Sequence, residues 1–236
     1  EKQYGHTPEA MYLSALRHVE ILEELGHTDI VISMKAHDVP TTIYAYRLAD
    51  KKLAERGTPY ALHLGVTEAG LPREGTIKSS IGMGLLLWEG IGDTLRCSLA
   101  ADPIEEIPVC WGILKALQIR EKGFDITACP SCGRAEIEVV ELARKVEAIA
   151  SEYTAPVKVA VMGCVVNGPG ESKMADVGVA GGKGKGAIYR KGELVGTYPE
   201  TELLGALRLE IEKVIVDVYP DFIGETAHGK DLAAIS

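Results

Sequence analysis

The sequence predicts an α/β unit followed by an α+β unit. Three observations predict it. Helical and strand patterns alternate three times before residue 120. The strands of that half pair an apolar face with a polar one. From about residue 123 the chain changes character, to a strand entering a cysteine turn, a long amphipathic stretch and several short glycine-rich strands. At 236 residues and 46% hydrophobic, the chain can build one large domain or two modest ones with real cores.

The elements follow in order. Thr7-Pro8 reads as N-cap and first position of a helix running to about Leu25 and closed by Gly26. Asp29 to Lys35 is a strand, and a helix runs from Asp38 to about Glu55, with Gly57 and Pro59 as punctuation. Ala61 to Thr67 is a strand, Thr76 to Glu89 a helix, Asp93 to Ala100 a strand and Pro103 to Ile119 a helix. Three strands, each followed by a helix, predict a parallel sheet. In the second half a short strand leads into the cysteine turn, a helix spans Arg134 to about Tyr153, and Val157 to Cys164 is a buried strand. Short strands joined by the "GGKGKG" turn fill Asp176 to Tyr198, and a helix from Glu200 to about Val218 closes the pattern. The boundary falls at about 120 to 123, where "REKG" is polar and ends in Gly, giving units 1–121 and 122–236.

Alternation within the strands decides the architecture of the first unit. Thr94, Arg96 and Ser98 share one face, and Leu95, Cys97 and Leu99 the other. Ser33 and Lys35 oppose Ile32 and Met34; His63, Gly65 and Thr67 oppose Leu62, Leu64 and Val66. A doubly wound sheet wants both faces apolar, whereas a polar inner face suits a barrel with a ligand at its mouth. Three βα units cannot close a barrel of eight. Either the chain is the C-terminal part of a longer enzyme or the barrel reading is wrong; a first residue of Glu rather than Met fits a truncated piece.

Composition excludes several classes. A net charge of −9 argues against a general nucleic-acid binder. The longest apolar run, Ile81 to Gly92, is too short and too glycine-rich to span a bilayer. The chain opens on polar residues with no leader pattern, and its five cysteines are an odd number. Reduced thiols or metal binding in a reducing, cytoplasmic compartment is the expectation.

The chemistry-bearing residues form two groups. Cys129 and Cys132 lie two apart on a turn leaving a strand, and Cys164 ends another strand beside "NGPG" and Glu171. Two cysteines alone suit a redox pair; three thiolates at one sheet edge suit an iron–sulfur cluster or a zinc ion. Glu171 is placed to add an oxygen ligand. Cys97 and Cys110, among apolar neighbours, read as small core residues. In the first unit Lys35, Glu68 and Arg96 with Ser98 stand at or near the C-terminal ends of successive strands, where barrel active sites are built. Lys and Arg with a hydroxyl suit a di- or polyphosphate. "KSSIGMG" (Lys78 to Gly84) reads as a helix opening whose amides could also meet phosphate.

The stretches "MKAHDV", "LHLGVTEAG", "GIGDTLRCSLAADP", "ITACPSCGR" and "GCVVNGPGE" together resemble the 4-hydroxy-3-methylbut-2-enyl diphosphate synthase family, in the family's order and over nearly the whole chain. The resemblance implies the C-terminal part of a TIM (β/α)8 barrel followed by a small [4Fe–4S] domain similar to sulfite and nitrite reductases. It implies a cluster held by Cys129, Cys132, Cys164 and Glu171, and reductive ring opening and dehydroxylation of 2-C-methyl-D-erythritol 2,4-cyclodiphosphate. Glu171 would leave the unique iron so that a substrate oxygen binds there. Lys35, Arg96 and Ser98 match diphosphate-holding positions, and Glu68 an acidic residue assisting protonation. Flavodoxin or ferredoxin is the implied donor, and a homodimer, with one subunit's barrel facing its partner's cluster domain, the implied assembly. No nucleic acid or membrane partner is expected. Lacking the first part of the barrel, the chain alone is expected to be poorly active. The alternatives are an iron–sulfur electron carrier and a structural zinc protein, neither with a substrate.

Overall fold

The computed structural model describes residues 5–133, 135–164 and 168–223. They divide into two compact units between Glu121 and Lys122.

The first unit opens with helix α1, Pro8–Glu24. The Thr7 hydroxyl accepts the Ala10 amide at 3.1 Å, Pro8 occupies the first turn, and Gly26 follows at φ +80°. Helix α2, Val39–Arg56, is capped by the Asp38 carboxylate on the Thr41 amide at 2.8 Å and ended by Gly57 at φ +79°. Helix α3 is Pro72–Trp88; α4, Glu106–Ala116, follows a 3-10 turn at Pro103–Glu105. Between them run three short strands, β1 (Val31–Ile32), β2 (Ala61–Leu64) and β3 (Thr94–Leu95), in a parallel sheet of that order. The ladder continues past the strands, with Thr67 N–H on the Ala36 carbonyl and Arg96 N–H on that of Leu64, both at 3.0 Å.

One face of this sheet is the core. Ile32, Met34, Leu62, Leu64 and Cys97 pack with Ile43, Tyr46, Met83 and Leu86 from the helices. Tyr46 is wholly buried, and its hydroxyl accepts the Met34 amide at 3.0 Å and donates to the His63 carbonyl. Its polar atom is therefore satisfied where burial would otherwise penalise it. Cys97 is buried beside Ser79, and Cys110 is half-buried near Cys97 with its thiol pKa raised by burial, as core cysteines should be.

The second unit is a five-stranded sheet in sequential order: β4 (Asp125–Ala128), β5 (Lys158–Met162), β6 (Val177–Gly182), β7 (Lys185–Arg190) and β8 (Glu193–Pro199). Pairings β4–β5 and β5–β6 are parallel; β6–β7 and β7–β8 are antiparallel. Helix α5 (Val139–Ala150) connects β4 to β5, the short α6 (Gly168–Glu171) precedes β6, and α7 (Glu200–Val218) closes the unit. "GGKGKG" is a hairpin turn: Gly182 pairs with Lys185, and Gly184 sits at φ +67° between them. Val159, Val161, Val177, Val179 and Ile188 face α5 and α7, while Ala160, Met162, Ala180, Ala187 and Tyr189 are buried on the opposite side. Among the described residues no helix is long and apolar enough to cross a membrane.

Candidate functional site

The first group of residues rises from the polar face of the three-stranded sheet. Lys35 is half-buried, just beyond β1. Burial first, and then the Arg96 guanidinium, hold its ammonium below the usual lysine range, with Glu106 acting in the opposite sense. The structure thus brings Lys35 and Arg96 into one electrostatic neighbourhood. Ser98, half-buried, lies two residues beyond Arg96 on the same strand exit. Glu68 is exposed on the loop after β2 and adopts φ +51°, a left-handed conformation that a non-glycine residue holds only at a cost.

One expectation here is corrected. Lys78 to Gly84 does not open a helix; it lies inside α3, which begins at Pro72. Proline at the first turn is the better start signal, and the amides of residues 78–84 are spent on the helix's own bonds.

The second group lies at one end of the five-stranded sheet. Cys129 extends β4 by one step, its N–H on the Val161 carbonyl at 3.0 Å, and its Sγ accepts the Gly163 amide at 3.2 Å. Register pairs Ala128 with Val161, so Cys129 is level with Met162, and Cys164 stands two positions further along the neighbouring strand. Cys164 is buried and Cys132 exposed. Ser131, in the turn between the first two cysteines, is left-handed at φ +51°. Glu171 ends α6 and is exposed. Among the described residues, no three His, Cys, Asp or Glu side chains gather closely enough to hold a metal ion. Cys129 and Cys164 therefore share a sheet end, while Cys132 and Glu171 stand on exposed backbone beside it. The expected "NGPG" turn is instead the short helix α6 from Gly168, with Glu171 as its last residue, and Asn167 lies outside the described residues.

The donor set nonetheless suits a thiolate-held group. The Gly163 amide donates to Cys129 Sγ, and amide bonds to ligand sulfurs are a recurrent feature of iron–sulfur sites.

Comparison with known proteins supplies the family. Residues 1–111 match the GcpE TIM-barrel domain, and residues 125–213 match the GcpE protein C-terminal domain. The chain belongs to the GcpE family. It is similar to the 4-hydroxy-3-methylbut-2-en-1-yl diphosphate synthase (flavodoxin) of Geobacter sulfurreducens, 53% identical over 217 residues, which cover 92% of this chain and 60% of that protein. The proteins of the same name from Lawsonia intracellularis (51% identity, 92% of this chain and 59% of the relative) and Caldanaerobacter subterraneus (52%, 91% and 59%) are comparable. The chain thus spans about 60% of the length of these relatives.

Two residues of this GcpE chain were not singled out by sequence reasoning. Glu106, in the first turn of α4, accepts the Leu99 amide at 2.9 Å and bears on Lys35. Nothing in the sequence marks an acidic first-turn residue as anything but a helix-favouring charge. His63 lies on the polar face, its Nδ1 2.8 Å from the Thr94 hydroxyl. Burial, Lys35 and Arg96, in that order, lower its pKa. The period-2 pattern put His63 on that face, and its neighbours could have nominated it.

Proposed function

We propose that the chain carries the reductive half and part of the substrate half of a 4-hydroxy-3-methylbut-2-enyl diphosphate synthase, an iron–sulfur oxidoreductase of isoprenoid biosynthesis. The observation that carries the reading is identity of 51–53% to enzymes of that name across both units, in a chain whose Cys129 and Cys164 end adjacent parallel strands. The relatives' names favour this reading over an electron carrier or a structural zinc protein.

In this reading residues 1–121 are the C-terminal portion of a TIM barrel and 122–236 an iron–sulfur domain of the sulfite and nitrite reductase type. Cys129, Cys132, Cys164 and Glu171 would hold a [4Fe–4S] cluster, which when bound would relay the donor's two electrons one at a time and offer one exchangeable iron. Three thiolates and one weaker carboxylate leave the fourth position the easiest to vacate. Lys35 and Arg96 hold the diphosphate of the cyclic substrate as paired cations, and the Ser98 hydroxyl donates to the same group. Glu68 assists protonation of the departing hydroxyl. Flavodoxin, in the relatives' name, is the proposed donor, with ferredoxin as the variant. A cytoplasmic homodimer that sets one subunit's barrel against its partner's cluster domain completes the site.

Anaerobic iron and sulfide analysis after reconstitution tests this. About four irons and four sulfides per chain are expected, with the visible absorption lost in Cys129→Ser and Cys164→Ser. Electron paramagnetic resonance of the reduced protein should change on adding the cyclic diphosphate. Colourless protein with stoichiometric zinc would overturn the reading.

A further inference from the structure

Across the three-stranded sheet the polar face is layered. Register pairs Val31 with Ala61 and His63 with Thr94, so Ser33, His63 and Thr94 are level, and Lys35, Gly65 and Arg96 form the next layer. The lower layer is filled by its own side chains: the Ser33 hydroxyl donates to the His63 carbonyl at 3.1 Å, and the His63 ring meets the Thr94 hydroxyl. In the upper layer the middle strand offers no side chain.

We propose that Gly65 is a positioning residue for substrate binding, leaving the space through which the Lys35 ammonium crosses β2 to lie beside Arg96 as a seat for a diphosphate. The inference rests on the reading of Lys35 and Arg96 as the anion-holding pair. A Cβ at Gly65 would lie 2.7 Å from Lys35 Cε, 3.0 Å from Nζ and 2.8 Å from the Arg96 carbonyl oxygen. Gly65 does not adopt the left-handed backbone that favours glycine elsewhere in the chain, so space rather than conformation requires it. A methyl group there meets one yielding neighbour, the lysine stem, and one fixed neighbour, the carbonyl of the third strand. The lysine stem is the neighbour that can give way, and displacing it moves its ammonium from the place it now holds.

The resting arrangement is costly by itself. Burial and the nearby guanidinium both disfavour the Lys35 charge, and Glu106 offsets them in part. A diphosphate shared by the two cations removes the repulsion and supplies the missing counter-charge. Gly65 therefore trades local ion stability for a preformed anion site.

Calorimetric titration with inorganic pyrophosphate, and NMR titration of the labelled Lys35 side chain, test the idea in Gly65→Ala, Lys35→Ala and the double variant. Gly65→Ala is expected to weaken pyrophosphate binding about tenfold, the factor that ~1.4 kcal/mol represents, and to move the Lys35 titration up toward ordinary lysine. In the Lys35→Ala background, Gly65→Ala should cost no further affinity, although strain against the Arg96 carbonyl still lowers Tm. Additive loss of affinity in the double variant, or an unmoved Lys35 titration in Gly65→Ala, overturns the positioning role. Should Gly65→Ala not fold, Arg96→Ala reads the same seat: the Lys35 titration rises if the two cations adjoin, and no change overturns the proposal. Undiminished pyrophosphate binding by Lys35→Ala instead defeats the anion-holding reading, and the Lys35 titration then still decides whether Gly65 sets the ammonium's place.

Discussion

The two sheets differ in what their faces carry. In the first, one face is core and the other bears Ser33, Lys35, His63, Thr94 and Arg96. In the second, valines and Ile188 pack under α5 and α7, and alanines, Met162 and Tyr189 are buried opposite. A sheet that is apolar on both sides has no room for chemistry on its strands. Its chemistry moves to the ends, where Cys129, Cys132 and Cys164 sit on exits and turns. A sheet with one polar face places functional groups by register, which is stiff; end loops place them by turn geometry, which is softer. That contrast accounts for two separate outcomes: in the first unit Lys35 and Arg96 share one electrostatic neighbourhood, and in the second Cys129 and Cys164 share a sheet end without a closed metal-holding group among the described residues.

The contrast predicts unequal costs of truncation. Leu207 is wholly buried between α7 and the second sheet. Leu207→Ala should cost about 2–5 kcal/mol through lost burial plus the cavity left behind. On the first sheet's polar face, Ser33→Ala removes one hydrogen bond at a solvent-exposed position and should cost at most about 1 kcal/mol. Urea denaturation followed by far-UV circular dichroism measures both. Equal costs would break the comparison.

A tighter test concerns the close approach under Glu171. Ser172 is fully buried, and its hydroxyl lies over Gly178 of β6, so a Cβ at Gly178 would fall 1.8 Å from Oγ and 2.5 Å from the Ser172 Cβ. Overpacking of that kind costs about 1–3 kcal/mol, so Gly178→Ala should destabilise the second unit by that amount. The Ser172→Gly partner change should recover most of it, since the Ser172 Cα, at 3.3 Å, becomes the nearest remaining atom. Because the carboxylate of Glu171, a ligand in the proposed function, rides on the neighbouring residue, the same variant should lose a reconstituted cluster faster than the double variant does. A neutral Gly178→Ala would mean that the Glu171 segment is softer than its packing indicates.

How far the sequence could be read follows the same division. Helix limits set by caps were legible, Thr7 with Pro8 and Asp38 with Gly57, and so was the span Glu200–Val218, which has no side-chain cap. Strands were read too long. Asp29 to Lys35 has the alternation of a strand, but regular strand is confined to Val31–Ile32, with single ladder bonds such as Thr67 N–H to the Ala36 carbonyl beyond it. The helix expected from Arg134 begins at Val139. The Ala135 and Glu136 amides bond instead to the Cys132 and Gly163 carbonyls, at 2.9 and 2.8 Å, which ties that segment to the cysteine edge. Such long-range bonds leave no periodic trace. The polar face was legible because alternation is a local property. The space at Gly65 was not, because a glycine in a strand gives no sign of which neighbour needs the room.

The gentlest test of the comparison is the pH response of His63. It lies on the polar face, and its pKa is lowered by burial and by the cations Lys35 and Arg96. The folded protein therefore takes up its proton at lower pH than the unfolded chain. Above the ordinary histidine range both states are neutral and the group contributes no pH dependence. As pH falls through that range the unfolded chain is protonated first, so stability falls, and the decline ends once the folded histidine also titrates. His63→Gln should flatten this part of the stability profile. Lys35→Ala should shrink it and move the His63 NMR titration upward, while Leu207→Ala should leave that titration in place. The effect is the smallest of the three because the ring is only partly buried and solvent screens the cations. Its direction is nevertheless diagnostic, since a histidine on a face without neighbouring cations would not answer to a lysine on the adjacent strand.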